Sequence, residues 1–189
     1  MIHSPRFVAV LDACVLYPAP IRDLLLHLAS FSLYMPKWTD AIHDEWIRNL
    51  LRNRPELTAA QLKKTRAAMT TAFPDAEVTS YETLIDSLKL PDPNDRHVLA
   101  AAIRGKADVI VTANLKDFPA QALALFDVEA QHPDAFVSNL IDLNPEKALE
   151  AFQQQVSFLK NPPKTAEQIL DNLRKVGMGT TADQLAALL

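Results

Sequence analysis

A chain of 189 residues, 49% hydrophobic and 22% charged, has room for one domain with a modest appendage and a real core, which excludes a largely disordered protein. Its formal net charge of −4 argues against whole-molecule electrostatic capture of nucleic acid and leaves a local basic patch as the route to such a partner. Cys14 is the only cysteine, so an intrachain disulfide is excluded and a reducing, cytoplasmic setting is expected. No uncharged apolar run approaches the roughly 20 residues that span a bilayer, so no membrane partner is expected.

Phe7 to Leu11 is a short apolar run rich in Val, the pattern of a central parallel strand covered on both faces. Asp12 interrupts it, so this stretch reads as a first strand rather than a leader. Pro18 and Pro20 close the next turn, and from Ile21 the segment IRDLLLHLASFSL has helical apolar spacing. Tyr34 and Met35 form a brief second strand before Pro36. Thr39 or Asp40 caps a helix ending near Asn53. Thr58 opens a helix from Leu57 to Phe73, the second half of a helical hairpin. Arg48, Arg52 and Arg54 join Lys63 to Arg66 as the most basic region. Ala76 to Thr79 is read as a strand and Tyr81 to Leu88 as a short helix. A helix over Asn94 to Arg104 follows, with Gly105 near its C-cap, and then a strand, Asp108 to Thr112. A short helix, Ala120 to Leu125, and an edge strand, Phe126 to Ala130, complete an alternation that predicts a parallel α/β sandwich. Beyond Leu143 the strand-like runs stop. Three helices are expected there, separated by Pro162-Pro163 and by Gly177 to Gly179, with Asn144-Pro145 and a Thr165–Gln168 capping box as start signals.

Asp12, Asp92, Asp95 and Asp117 each fall at a strand end or helix start, on the edge where open α/β folds build their sites. Packed together they repel, and some would take up protons unless a cation neutralised them. A hard divalent ion such as Mg²⁺ or Mn²⁺ takes oxygen ligands and lowers the pKa of a bound water. Taken singly, each aspartate is also an ordinary cap or turn former. Asp40 and Asp44 suit a solvated acidic first turn, whereas Glu45 sits further in, placed to face the sheet edge. His97 follows the acidic turn, and His3, His27, His43 and His132 lack zinc-ligand spacing. Cys14 reads as a small buried hydrophobe, and Trp38 and Trp46 as core or interface.

Four stretches occur in order: VLDACVLYP with Asp12, HDEWIRNLL with Glu45, DPNDRHVLAAAI with Asp92 and Asp95, and VIVTANLKDF with Thr112, Asn114 and Asp117. Together they resemble the PIN-domain family, the nuclease fold that includes the VapC-type toxins. The resemblance implies a PIN-like three-layer α/β/α sandwich with a central parallel sheet for residues 1–143, beside the helical C-terminal extension of residues 144–189. It also implies an endoribonuclease that depends on Mg²⁺ or Mn²⁺ and acts as the toxin of a type II toxin–antitoxin system. Asp12, Glu45 and Asp95 match the family's core acids; Asp12 and Asp95 would hold the ion, with Glu45 as ligand or orienter of the attacking water. The fourth acidic position is Asn114, which keeps a neutral oxygen but cannot act as a base, so Asp92 or Asp117 would supply the missing charge. Thr112 would orient an acid or the substrate phosphate. Arg96, Arg48 and Arg52, with Lys63 and Lys64, would hold the RNA backbone without reading sequence. A cognate antitoxin over the acidic pocket and a homodimer through the sheet-flanking helices are further implications.

Two rival enzyme classes fail on the residues. A haloacid-dehalogenase phosphatase needs a second Asp two residues after the first, where Cys14 stands. A phosphate loop needs glycines after the first strand, and the three in the chain lie elsewhere. The remaining rival is a PIN-like module that has lost catalysis and binds RNA or a protein partner, a reading that Asn114 favours and the Asp12, Glu45, Asp95 set opposes.

Overall fold

Strands β1 (Val8–Leu11), β2 (Met35–Lys37), β3 (Val109–Val111) and β4 (Glu129–Gln131) pair in the order β2-β1-β3-β4, all parallel. These features come from a computed structural model that describes residues 7–189, so His3 lies outside the described residues. In β1, Ala9, Val10 and Leu11 are buried, as are all three residues of β3, which is why these strands read as unbroken apolar runs. The edge strand β2 runs through Pro36 rather than stopping before it; an edge position tolerates a residue with no N–H to give the ladder.

Between β1 and β2 lie α1 (Ala13–Leu16) and α2 (Ala19–Ser30). The sequence reading had only a turn where α1 forms, and Pro18 and Pro20 open α2 instead of closing that turn. The helical hairpin is α3 (Asp40–Asn53), capped by Thr39, and α4 (Ala59–Ala72), with a full capping box at Thr58 and Gln61. Trp38, just before α3, and Trp46, on it, are fully buried as core.

The strand expected at Ala76 to Thr79 is reduced to a single parallel bridge, Trp38 to Glu77. Turn residues at Pro74 and Asp75, and the left-handed Ser80 at φ 59°, leave too little extended chain for a ladder. The helix expected from Tyr81 to Leu88 shrinks to α5 (Glu82–Ile85). A 3₁₀ turn, Pro93–Asp95, leads into α6 (Arg96–Arg104), which packs on β1 and β3. After β3 come a 3₁₀ turn at Leu115–Asp117, α7 (Ala120–Leu123) and β4.

A helix absent from the sequence reading follows: α8 (Pro133–Leu143), with Phe136, Val137, Leu140 and Ile141 buried at helical spacing. The expected C-terminal helices are α9 (Pro145–Phe158), α10 (Ala166–Lys175) and α11 (Gly179–Leu188), with the Asn144 cap and the Thr165–Gln168 capping box in place. Helices α9 and α10 pack against α2, and α11 against α8 and α9. The Asp134 carboxylate on α8 accepts from the backbone N–H groups of Thr181 and Thr180, at 2.8 and 3.1 Å, in the first turn of α11. Against the upward push of burial, those hydrogen bonds hold Asp134 below the usual carboxylate range. The architecture is the three-layer α/β/α sandwich with C-terminal helices that the sequence predicts. Among the described residues, no helix is long and apolar enough to cross a membrane.

Candidate active site

Because β2 and β3 lie on opposite sides of β1, the sheet order reverses at β1, and such a switch point opens a crevice at the strands' C-terminal ends. The register Leu11 to Val111 sets Asp12 and Thr112 side by side there, and the Asp12 N–H donates to the Val111 carbonyl at 3.1 Å. Asp12 is only 5% exposed and caps α1. One carboxylate oxygen accepts from the Ala13 N–H at 2.7 Å. The other accepts from the Thr112 hydroxyl at 2.8 Å and the Cys14 thiol at 3.2 Å. Thr112 Oγ1 in turn accepts from the Asn114 N–H at 3.1 Å, and Cys14 Sγ from the Ala113 N–H at 3.3 Å.

Burial pushes the Asp12 carboxyl above the usual range, against the hydrogen bonds from Thr112 and Cys14, and the nearby Glu45 charge adds to the push. Burial and the Asp12 charge push the Cys14 thiol up to about 12, so it stays protonated, a donor rather than a nucleophile. The reading of Cys14 as merely a small hydrophobe is thereby corrected. The signal was its place two residues beyond a capping aspartate, where a short side chain turns back onto the cap.

Asp95 ends the 3₁₀ turn before α6. Burial first, then the charges of Asp12, Asp92, Asp117 and Glu45, push its carboxyl up to about 6. Asp12, Asp92, Asp117 and Glu45 therefore lie near enough to Asp95 for their charges to act on it. Asp92 caps the turn through the Asn94 N–H at 2.8 Å, and Asp117 closes the turn after β3. Glu45 reaches in from α3, its Oε2 3.7 Å from His97 Nε2 in the first turn of α6.

The structure thus brings together Asp12, Glu45, Asp92, Asp95, Asp117 and Thr112. Asn114 is exposed at the rim, tied in by its backbone N–H. The Arg96 Nε–H donates to the Pro93 carbonyl at 3.0 Å, a contact within its own turn. Arg48 and Arg52 are exposed on α3, three and seven residues beyond Glu45 and hence on its side of the helix. Arg66 pairs with Asp40 and Asp44, so it leaves the basic face, and the acidic first turn of α3, still exposed to solvent as expected, gains a cationic partner.

Among the described residues, no three His, Cys, Asp or Glu side chains already stand as a metal cage. The donors gathered here are nevertheless all oxygens, and burial and mutual repulsion hold two of the carboxyls above their ordinary range. That set fits a hard divalent ion, which takes one or two carboxylates and keeps its waters, better than a softer metal. Thr112→Val keeps the shape of the residue while removing a donor to Asp12. Calorimetric titration with Mn²⁺ should show affinity weakened by about tenfold; an unchanged affinity would exclude an orienting role for Thr112.

Residues 8–116 match the family described as "PIN domain", and residues 133–187 match one described as "VapC50 C-terminal domain", which takes in α8 to α11. A curated relative from Mycobacterium tuberculosis, "Putative ribonuclease VapC50", is 41% identical over 105 residues. That stretch covers 56% of this chain and 59% of the relative, less than two thirds of its length. No solved structure matches. The PIN match spans more than half of the chain and takes in Asp12, Glu45, Asp92, Asp95, Thr112 and Asn114. With the parallel sheet and the acidic crevice at its switch point, this chain belongs to the PIN-domain family.

Proposed function

We propose that the chain is an endoribonuclease dependent on Mg²⁺ or Mn²⁺ and the toxin of a type II toxin–antitoxin system. The observation that carries the reading is the convergence of Asp12, Asp95 and Glu45 at the switch point of a PIN-domain sheet. Asp12 and Asp95 would hold the ion, with Asp92, Asp117 and Asn114 completing its surroundings. When bound, such an ion supplies a Lewis acid for the phosphoryl oxygens and lowers the pKa of a bound water. Glu45, with His97 Nε2 3.7 Å away, would orient the attacking water and take its proton as the P–O bond to the ribose oxygen breaks, the leaving oxygen taking a proton from solvent. Thr112 and Cys14 fix the Asp12 carboxylate, so little reorganisation is needed as charge develops. Arg48, Arg52 and Arg96 bind backbone phosphates.

An antitoxin covering the acidic crevice, self-association through sheet-flanking helices and a cytoplasmic location complete the reading. So does a division into a nuclease domain, residues 1–143, and an extension, residues 144–189, meeting where Asn144 caps α9. The "Putative ribonuclease VapC50" name of the relative supports the activity. A second reading, a PIN module that binds RNA or protein without cutting, is favoured by Asn114 and by the lack, among the described residues, of a ready three-ligand cage.

Cleavage of total cellular RNA with Mn²⁺, compared between the wild type and Asp12→Ala, separates the two. Products that appear with metal and vanish in the variant support the nuclease; folded wild type that neither cuts RNA nor binds Mn²⁺ sinks it. Binding carries its own pH signature. Asp95 must lose its proton to act as a ligand, so Mn²⁺ affinity should fall toward tenfold per pH unit below about 6 and level off above it. An affinity flat from pH 5 to 7 would remove Asp95 from the ligand set.

A further inference from the structure

Strand β4 forms one edge of the sheet, and a cleft opens on each of its faces. Toward α8 the cleft holds about 580 Å³, with Phe7, Phe136 and Leu143 among its walls and Asp108 and Asp142 beside them. Toward α7 it holds about 720 Å³, walled by Leu115, Phe118, Ala120 and Ala124. Asp127 and Glu129 border both clefts. We infer that this edge takes up an extended segment of a partner protein, alternately basic and apolar, as an added strand beside β4.

The backbone of β4 is set for such pairing. The Glu129 N–H donates to the Asp108 carbonyl at 3.0 Å, and the Gln131 carbonyl accepts from the Thr112 N–H at 3.0 Å, so both residues face β3. Alternation then turns the N–H and C=O of Ala130 outward, where the sheet has no further strand. Sheets commonly guard an open edge with Pro or Lys. The opposite edge, β2, carries both, as Pro36 and Lys37, whereas β4 reads Glu-Ala-Gln and carries neither.

The pleat adds side-chain recognition. Gln131 lines the α8 cleft, while Val128 and Ala130 line the α7 cleft, as alternation along a strand requires. A strand laid beside β4 drops its own side chains into the two clefts in turn. Large exposed apolar side chains gather along this edge: Phe7 and Leu143 at one cleft, Leu115 at the other, and Leu125 and Phe126 in the turn before β4. Grouped exposure of this kind marks an interaction surface.

Charge selects the occupant. Asp108, Asp127, Glu129 and Asp142 are all exposed, and among the described residues no Lys, Arg or His lines either cleft. A second copy joined edge to edge about a two-fold axis would set Asp127 and Glu129 against the same patch of its partner. A nucleic acid would bring phosphates to these acids. A basic segment instead meets them with opposite charge. Asp108 and Asp142 lie on the α8 side only, so that side takes the Lys or Arg side chains and the α7 side the apolar ones. No acid of the active-site crevice lines either cleft, so the inference stands apart from the ribonuclease reading.

The probe is the peptide acetyl-VKVKVKV-amide, titrated into the full chain in EDTA while hydrogen exchange at the Ala130 amide is followed by NMR. Exchange should be fast in the protein alone and at least about tenfold slower with the peptide bound. The acidic peptide acetyl-VEVEVEV-amide should leave it unchanged. Glu129→Lys, at an exposed position, should weaken binding of the basic peptide by about fivefold. No binding, binding with Ala130 exchange unmoved, equal protection by the acidic peptide, or full affinity in Glu129→Lys overturns the inference. An Ala130 amide already protected in the protein alone also overturns it. Protection that grows with protein concentration then assigns the edge to a second copy, and protection independent of concentration to the chain's own residues 1–6. Decauridylate that slows the same amide overturns it in favour of nucleic acid. A wild type that binds the basic peptide here but never cuts RNA sinks the ribonuclease reading and leaves this docking edge standing.

Discussion

Asp95→Asn should make the metal-free protein more stable at pH 7 while abolishing RNA cleavage. Burial and four neighbouring carboxylates push the folded-state carboxyl from an ordinary 3.8 to about 6. The folded state then holds this proton more tightly than the unfolded chain. The group's cost is absent below about pH 4, grows as pH rises toward 6, and is fully present at pH 7. Asn keeps the shape and removes the charge. Solvent reaches much of Asp95, so the recovered stability is discounted to about 1 kcal/mol, which lifts the melting temperature by roughly 2–4 °C in a chain of this size. On the proposed metal-dependent mechanism, cleavage should fall by at least about a hundredfold, because the variant lacks a carboxylate proposed to hold the ion. Thermal melts in EDTA and in Mn²⁺, paired with an RNA cleavage assay, read both effects. Saturating Mn²⁺ should narrow the stability gap, since the ion binds the wild type better. A variant that melts lower than wild type in EDTA would mean that the charged Asp95 is not the cost to the fold that its burial and its acidic neighbours imply.

Such a trade of stability for charge was partly visible in the sequence. Buried parallel strands are continuous apolar runs, so β1 and β3 declared themselves, and an aspartate at the end of each neighbouring element followed. Hairpin α3–α4 and the three C-terminal helices were legible because their caps are local chemistry: Thr39, Thr58, Asn144 and Thr165 each accept from an N–H three residues on. What local pattern cannot carry is register between distant segments. The bond from Thr112 to Asp12 joins residues 100 apart, and it exists only because Leu11 pairs with Val111. The approach of Glu45 to His97 and the capture of Arg66 by Asp40 and Asp44 depend in the same way on how helices pack. The strand expected at Ala76 to Thr79 failed because it has a neighbour on one side for only one residue. Helix α8 was missed although Phe136, Val137, Leu140 and Ile141 carry its period. Arg22, on an apolar helix face, gave no local sign that tertiary packing would bury it.

Phe152→Ala should lower the melting temperature of the whole chain by about 10 °C, in one transition. Phe152 is fully buried in α9, which packs on α2, the helix that follows directly from the Asp12 segment. Its truncation removes a large apolar contact and leaves a cavity, at a cost of about 3–5 kcal/mol, and each kcal/mol is worth roughly 2–4 °C in a chain of this size. Around it, His27 Nδ1 of α2 lies 3.1 Å from Gln154 Oε1 of α9, and the Gln184 amide of α11 donates to Asp142 of α8 at 3.0 Å. Buried residues from α2, α8, α9, α10 and α11 join the strands in one contiguous core cluster. Loosening α9 therefore loosens the layer that supports α1 and Asp12. Calorimetry together with Trp46 fluorescence checks this, because Trp46 is a buried residue of α3, its ring against Arg22, and reports on a helix outside residues 144–189. Coincident transitions that shift together mean that the extension and the sheet fold as one cooperative unit. An early extension-only transition, with Trp46 melting as in wild type, would instead make residues 144–189 a unit that melts by itself, and the extension's hold on the active-site layer would be lost with it.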